Sequence, residues 1–268
     1  MKAKGIFFVS FAVLLICLPF IKVNAQEEFP RPEPMRPGMS EYWTPQPKIV
    51  TPGNTTSNAF ISPPSDAIIL FDGKDLSQWR SGGRGGGEAG WTVQDGIVTV
   101  VKRGQGAGDI LTKQEFGDFQ LHIEWMVPTN ITGESQGRGN SGIFLQDKYE
   151  VQILDSYENK TYVNGQASSI YKQTPPLVNA MRKPGEWNVY DIIYTAPTFT
   201  ADGKYRTYPT VTIIHNGVLV QNNTIIIGTT EYIGFPRVVP HGKGPIRLQM
   251  HGDPSEPISF RNIWIREL

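Results

Sequence analysis

The chain has 268 residues, with 25 lysines and arginines against 25 aspartates and glutamates, so its formal net charge is zero. That balance excludes the broad basic face that nucleic-acid binding requires, and 28 glycines and 21 prolines with only 19% charged residues point to many turns and few long helices. No heptads, Gly-X-Y repeat or internal apolar 18-mer occurs, which excludes a coiled coil, a collagen and a multi-pass membrane protein.

Residues 1–25 read as an export signal. Lys2 and Lys4 form a positive start, an apolar run from Ile6 to Ile21 is broken by Pro19, and Val23-Asn24-Ala25 offers a small-residue cleavage site before Gln26. The only cysteine, Cys17, lies in this leader, and Ile16 before it does not suit a lipoprotein signal. The exported chain then has no disulfide, thiolate nucleophile or cysteine metal site. The expectation is a periplasmic or secreted protein with no transmembrane segment after cleavage. Residues 26–65 follow as a tether: nine prolines fall between Pro30 and Pro64, removing backbone donors and favouring extended chain. Tyr42 and Trp43 are the side chains suited to pinning this tail to a domain.

The folded domain spans residues 66–268, a size that suits one all-β unit. Strand-like runs occupy 67–71, 91–93, 97–101, 119–127, 142–146, 149–154, 187–194, 210–215, 246–251 and 260–267. Asp72-Gly73, Asp95-Gly96, Asn164-Gly165, Asp202-Gly203 and Asn216-Gly217 are turn signals between them. Many short strands without intervening helices predict a two-sheet jelly-roll sandwich. The glycine-rich stretch 81–90 lacks the Lys-Ser/Thr ending of a phosphate loop and reads as a surface loop.

Alternation separates a core face from a polar face. Along 119–127, Leu121, Ile123, Trp125 and Val127 share one side and His122 and Glu124 the other. In 149–154, Glu150 and Gln152 oppose Tyr149, Val151 and Ile153; in 246–251, Arg247, Gln249 and His251 oppose Ile246, Leu248 and Met250. An ordinary solvated face favours Lys, Thr and Ser, and none occupies these positions. If the three strands share a sheet, they form a polar floor with carboxylates, imidazoles and a guanidinium, to which loops add Asn140, Asp155, Tyr171, Lys172 and Trp187. The frame Glu150-Val-Gln152-Ile-Leu-Asp155 resembles the catalytic strand of laminarinase-type retaining glycosidases. Gln152 and Asp155 depart from its pattern, and an unbulged strand points positions 150 and 155 to opposite faces. His122, Glu124 and His251 could together hold a divalent metal, although no specific metal-ligand motif supports one and no cofactor is expected.

A set of segments, LFDGKDLSQW at 70–79, WTVQDG at 91–96, GDFQLHIEW at 117–125, NSGI at 140–143, YEVQILD at 149–155, GEWN at 185–188, HNG at 215–217, GPIRLQMHG at 244–252 and FRNI at 260–263, resembles the domain family of unknown function numbered 1080, now described as 3-keto-disaccharide hydrolases. The resemblance spans 67–268 in order. It implies a concanavalin-like jelly roll, export from glycan-degrading bacteria, a glycoside substrate whose sugar has been oxidised at C3, and a partner oxidoreductase that performs the oxidation. A C3 ketone acidifies the C2 proton; a base removes it, the enolate expels the C1 aglycone, and water adds back. Glu150 or His251 would be the base, Glu124 or Asp155 the proton source, and Arg247, Lys172 or a metal the enolate stabiliser. Gln249, Gln152 and Asn140 would orient hydroxyls, with Tyr171, His122 and Trp187 also in the substrate-binding set. The alternatives are a non-catalytic carbohydrate-binding module and a conventional retaining glycosidase using Glu150 and Asp155.

Overall fold

The structure, a computed structural model, describes residues 33–53, 62–83, 85–102 and 108–268. The leader assigned to residues 1–25 lies outside them. No helix of the described residues is long and apolar enough to cross a membrane. The strands are β1 (Lys48–Ile49), β2 (Ile68–Phe71), β3 (Trp79–Ser81), β4 (Thr92–Gln94), β5 (Ile97–Thr99), β6 (Ile110–Thr112), β7 (Phe119–Met126), β8 (Ser141–Leu145), β9 (Tyr149–Ile153), β10 (Val178–Asn179), β11 (Trp187–Thr195), β12 (Thr198–Phe199), β13 (Tyr205–Thr207), β14 (Thr210–His215), β15 (Val218–Ile225), β16 (Arg247–Leu248) and β17 (Ser259–Glu267).

These strands build a two-sheet jelly-roll sandwich. One sheet has eight strands in the order β15-β14-β11-β7-β17-β5-β4, with β2 also paired to β17; the other has five, β3-β6-β16-β8-β9. Two of the turn signals form two-residue hairpin loops of the primed type, with both residues left-handed: Asp95 and Gly96 (φ 52° and 77°) join β4 to β5, and Asn216 and Gly217 (φ 54° and 79°) join β14 to β15. Between the sheets lie Phe119, Leu121, Ile123 and Trp125 of β7, Ile143 and Leu145 of β8, and Tyr149, Val151 and Ile153 of β9, all buried. Each such side chain contributes roughly 1.5–3 kcal/mol when removed from water.

The expected parity holds on each strand, but the three polar ladders do not share a sheet. β7 belongs to the large sheet, whereas β9 and β16 belong to the small one. His122, Glu124 and Trp187 therefore leave the predicted polar floor and lie on the outer face of the large sheet. There they form a closed cluster. A register slip in β17 between Arg261 and Trp264 accompanies a left-handed Asn262 (φ 47°), whose amide meets Glu124 Oε1 at 2.8 Å and His122 Nε2 at 3.3 Å. Arg261 donates to Glu124 Oε2 at 2.6 Å and stacks over the Trp187 ring at 4.1 Å. His122 Nδ1 lies 2.7 Å from Asp191, and its ring stacks on Trp264 at 5.0 Å.

The proline-rich segment also differs from a free tether over the residues described. Residues 35–53 lie against the sandwich, with β1 paired in parallel to β10 and Gln46 Nε2 donating to the Thr161 carbonyl at 2.8 Å. The pins are not the expected aromatics: Tyr42 and Trp43 stack on each other at 5.8 Å and remain exposed, whereas Ser40 is buried. Side chains of the domain also donate to the segment, Asn164 Nδ2 to the Ser40 carbonyl at 2.8 Å and Lys172 Nζ to the Pro37 carbonyl at 3.0 Å.

The His122 cluster sets a pH dependence. Burial opposes the imidazolium, but Asp191 and Glu124 outweigh it and raise the group from 6.5 to about 9. A raised folded value means that the stabilisation is complete below pH 6.5 and is lost as pH rises through about 9. Thermal melts should show the melting temperature falling across that window. His122→Gln should flatten the dependence and cost about 1–3 kcal/mol through unpaired polar groups.

Candidate active-site cleft

A cleft of about 270 Å³ opens on the outer face of the small sheet, lined by Asn140, Phe144, Glu150, Gln152, Tyr171, Thr230, Tyr232, Gln249 and His251. Strand pairing explains the assembly. β8 and β9 place Phe144 opposite Glu150 and Gly142 opposite Gln152. Gln249 follows β16, and its main-chain N–H donates to the Gly142 carbonyl at 3.0 Å. Gly142 has a steric role: a Cβ there would land on the Glu150 carboxylate. A larger hollow of about 400 Å³ near Trp79 and Trp91 lacks such convergence. Its charged residues Lys74, Asp75, Glu88 and Lys113 are exposed, and both indole N–H groups bond to main-chain carbonyls.

Glu150 is the most perturbed group in the cleft. Burial, helped by the nearby Asp109 charge and opposed by Arg247, drives its carboxyl up to about 8, so the group is largely protonated at neutral pH. His251 differs. Its Nδ1 lies 3.0 Å from Asp253 Oδ2, and Asp253 is itself buried, held 3.4 Å from Lys102 and bonded by Ser255. The Asp253 main-chain nitrogen is also near Nδ1, at 3.2 Å. The carboxylate contact is shorter and charge-assisted, so we assign the proton to Nδ1, which leaves Nε2 as the basic atom. The Gln249 Oε1 is buried without a partner among the described residues, a group ready to accept from a hydroxyl. Gln152, with its amide nitrogen facing Glu150, donates to Glu150 Oε1 at 3.1 Å and to the Ser141 carbonyl at 3.2 Å, and Asn140 donates to the Gln136 carbonyl at 2.9 Å.

Six predicted residues thus meet here: Glu150, His251, Gln249, Gln152, Asn140 and Tyr171. Others do not. Glu124, His122 and Trp187 are in the large-sheet cluster, so the proposed metal set of His122, Glu124 and His251 is split between sheets. Among the described residues no group of three or more His, Cys, Asp or Glu is placed to hold a metal ion. Asp155 is fully buried and committed to structure: Arg138 donates to Oδ2 at 2.6 Å and the Tyr157 amide to Oδ1 at 3.0 Å. Arg247 lies behind the wall, over the Phe144 ring at 3.5 Å and bonded to Asp109 and Asp147. Lys172 is buried beside the cleft, with its ammonium bonded to the Pro37 and Tyr232 carbonyls. Phe144, Thr230, Tyr232 and Asp253 were missed. Parity on β8 could have found Phe144; the other three sit in loops, which carry no alternation.

Comparison with known proteins decides the relationship. Residues 66–266 match the family model of the 3-keto-alpha-glucoside-1,2-lyase-like domain. The chain belongs to this family. A curated 3-keto-disaccharide hydrolase of Bacteroides thetaiotaomicron is 30% identical over 152 residues, which cover 45% of this chain and 50% of that one. The chain therefore matches about half the length of that relative. A solved Parabacteroides distasonis structure, provisionally named a glycosyl hydrolase, is 70% identical, covers 86% of this chain and 95% of its own, and superposes with a TM-score of 0.76. A second from the same organism, 22% identical with a TM-score of 0.52 over 76% of this chain and 94% of its own, shares the fold.

Carboxyl carbon-13 NMR should find Glu150 titrating near pH 8, against 4.5 for the free side chain. Arg247→Met should raise that value further by removing the favourable charge, whereas a titration below pH 4.5 would contradict the buried, unpaired geometry.

Proposed function

We propose that the protein cleaves the glycosidic bond of 3-keto-glycosides by elimination and rehydration in the small-sheet cleft. One observation carries this reading: a buried carboxyl pushed up to about 8 and an imidazole anchored through Nδ1 by Asp253 share a cleft whose other polar groups are amides and hydroxyls suited to a sugar. A carboxyl kept protonated by burial is suited to the acid role, which leaves the base role to the imidazole. His251 Nε2 takes the C2 proton, the electron pair forms the enolate of the C3 ketone, and collapse of that enolate breaks the C1–O bond. Glu150 gives its proton to the departing oxygen. Water then adds across C1 and C2, its proton returning to C2 and its hydroxyl going to C1, to give the free 3-keto sugar. Gln249, Gln152 and Asn140 hold the hydroxyls. The lyase in the family description agrees with elimination.

The reading extends to context. A 3-keto sugar arises by oxidation at C3, so a sugar oxidoreductase must supply the substrate. The leader-like residues 1–25 favour action in the periplasm or outside the cell.

The deciding experiment incubates the purified protein with methyl α-glucoside and with its 3-keto derivative, with and without chelator. Cleavage of the keto compound alone is expected. Cleavage of both would indicate an ordinary glycosidase, and of neither, a binding module. Asp155, already held by Arg138, is poorly placed for the ordinary route.

Glu150→Gln should lower turnover about a hundredfold with little change in melting temperature, the usual scale for losing a general acid or base. Because Glu150 acts protonated, wild-type kcat/KM should fall as pH rises through about 8, and that limb should vanish in Glu150→Gln. Substrate deuterated at C2 should react more slowly if proton removal limits the rate.

A further inference from the structure

We infer that residues 37–50 are the support behind one wall of the cleft, and that the Glu41–Lys172 pair is the positioning device through which they set Tyr171 and Tyr232. The inference rests on the reading of the cleft as the substrate site.

Lys172 supplies the argument. Its side chain is 3% exposed, and an ammonium so placed needs an acceptor for each of its three protons and a counter-charge. The acceptors are the Pro37 carbonyl at 3.0 Å, the Tyr232 carbonyl at 2.8 Å and Glu41 Oε1 at 3.0 Å. Two of the three come from the proline-rich segment, and Glu41 is the carboxylate in the set. The third belongs to the loop that carries Thr230 and Tyr232 into the cleft. The same ammonium lies over the rings of Tyr232 at 4.8 Å, Tyr162 at 5.7 Å and Tyr171 at 6.0 Å. Tyr162 and Tyr171 join hydroxyls at 2.7 Å, and burial holds both phenols well above their ordinary range, so Tyr171 enters the cleft as a neutral phenol in fixed orientation.

The backbone is arranged to deliver Lys172 to this point. Lys172 is left-handed (φ 58°), and its amide donates to the Asn164 carbonyl at 2.9 Å. The Asn164 side chain in turn donates to the Ser40 carbonyl at 2.8 Å. Segment, Asn164 turn and Lys172 are therefore one connected unit. Proline suits the segment's part in it: a chain poor in N–H groups presents carbonyls, which is what a buried ammonium and an amide require. Loss of Glu41 leaves an uncompensated charge beneath two cleft tyrosines, and the structure relieves it by moving them.

The test uses the full chain with Glu41→Gln, Lys172→Met and the double variant, assayed well below their melting temperatures. Two readouts are taken: KM and kcat for methyl 3-keto-α-glucoside, and the rate of tetranitromethane nitration at Tyr162 and Tyr171, mapped by mass spectrometry. Glu41→Gln should raise KM about tenfold while kcat changes less than about threefold, the pattern of lost binding rather than lost chemistry. Nitration of Tyr171 should quicken several-fold. The double variant, with no buried charge left, should recover part of both effects. Unchanged KM and nitration in folded Glu41→Gln would overturn the inference. Should Lys172→Met fail to fold, Glu41→Gln, at a carboxylate 24% exposed, still decides it. Should the wild type leave the keto-glycoside intact, the reading of the reaction fails, and the nitration rates still decide whether the segment holds the tyrosines.

Discussion

A carboxyl group cut off from water governs this cleft. Glu150 stands on a strand whose five residues are all buried, because the inner side of β9 faces the core while its outer side is roofed by the loops around Tyr171 and Thr230. Desolvation of a carboxylate is expensive, and a protein has three ways to meet that cost: pair the charge, hydrogen-bond it or leave it neutral. Here the cation that acts on it, Arg247, is held by Asp109 and Asp147, so neutrality wins. Everything else in the cleft is arranged around a protonated acid: amides rather than ammonium groups, a phenol, and an imidazole anchored from behind by its own carboxylate.

The large sheet meets the same cost by the other route. Glu124 also sits mid-strand and is almost inaccessible, yet Arg261, Asn262 and His122 surround it. Its carboxyl is held below the usual range against the penalty of burial. Two glutamates on neighbouring layers of one sandwich thus end in opposite protonation states. Their neighbours decide it. In the first case a glycine clears room and contributes nothing polar; in the second a bulged strand swings an asparagine into contact.

That contrast explains what could be read from the sequence. Alternation at 119–127, 149–154 and 246–251 identified the inward and outward sides correctly, and hairpin turns such as Asn216-Gly217 marked the strand joins. Of the strands in the two main sheets, β3, β6 and β15 escaped notice, the first two for shortness and the last because Asn222 and Asn223 interrupt its apolar pattern; the short β1, β10, β12 and β13 escaped as well. Parity tells which side of a strand a residue takes, not which sheet the strand joins. His122 and Glu150 therefore looked like companions. Sheet membership is set by pairing between residues more than a hundred positions apart, as in Ser259 with Met126, and such pairings leave no local trace. Asp253 and Tyr232 were invisible for a simpler reason, since loop residues are positioned by tertiary bonds.

The nine-residue strand β17 has a consequence for the order of events in folding. It lies inside the large sheet, with β7 along one edge and both β2 and β5 sharing the other. Until residues 259–267 are available, β7 has an open edge, β2 lacks the partner it has in the sheet, and the hairpin of β4 and β5 has nothing to dock on. The contacts that close the sandwich therefore span most of the domain, a topology that folds slowly and late. A ribosome releasing the chain from its beginning would hold β7 joined to β11 on one side, with β2 and the β4–β5 hairpin apart from it on the other, until the final strand slid between them.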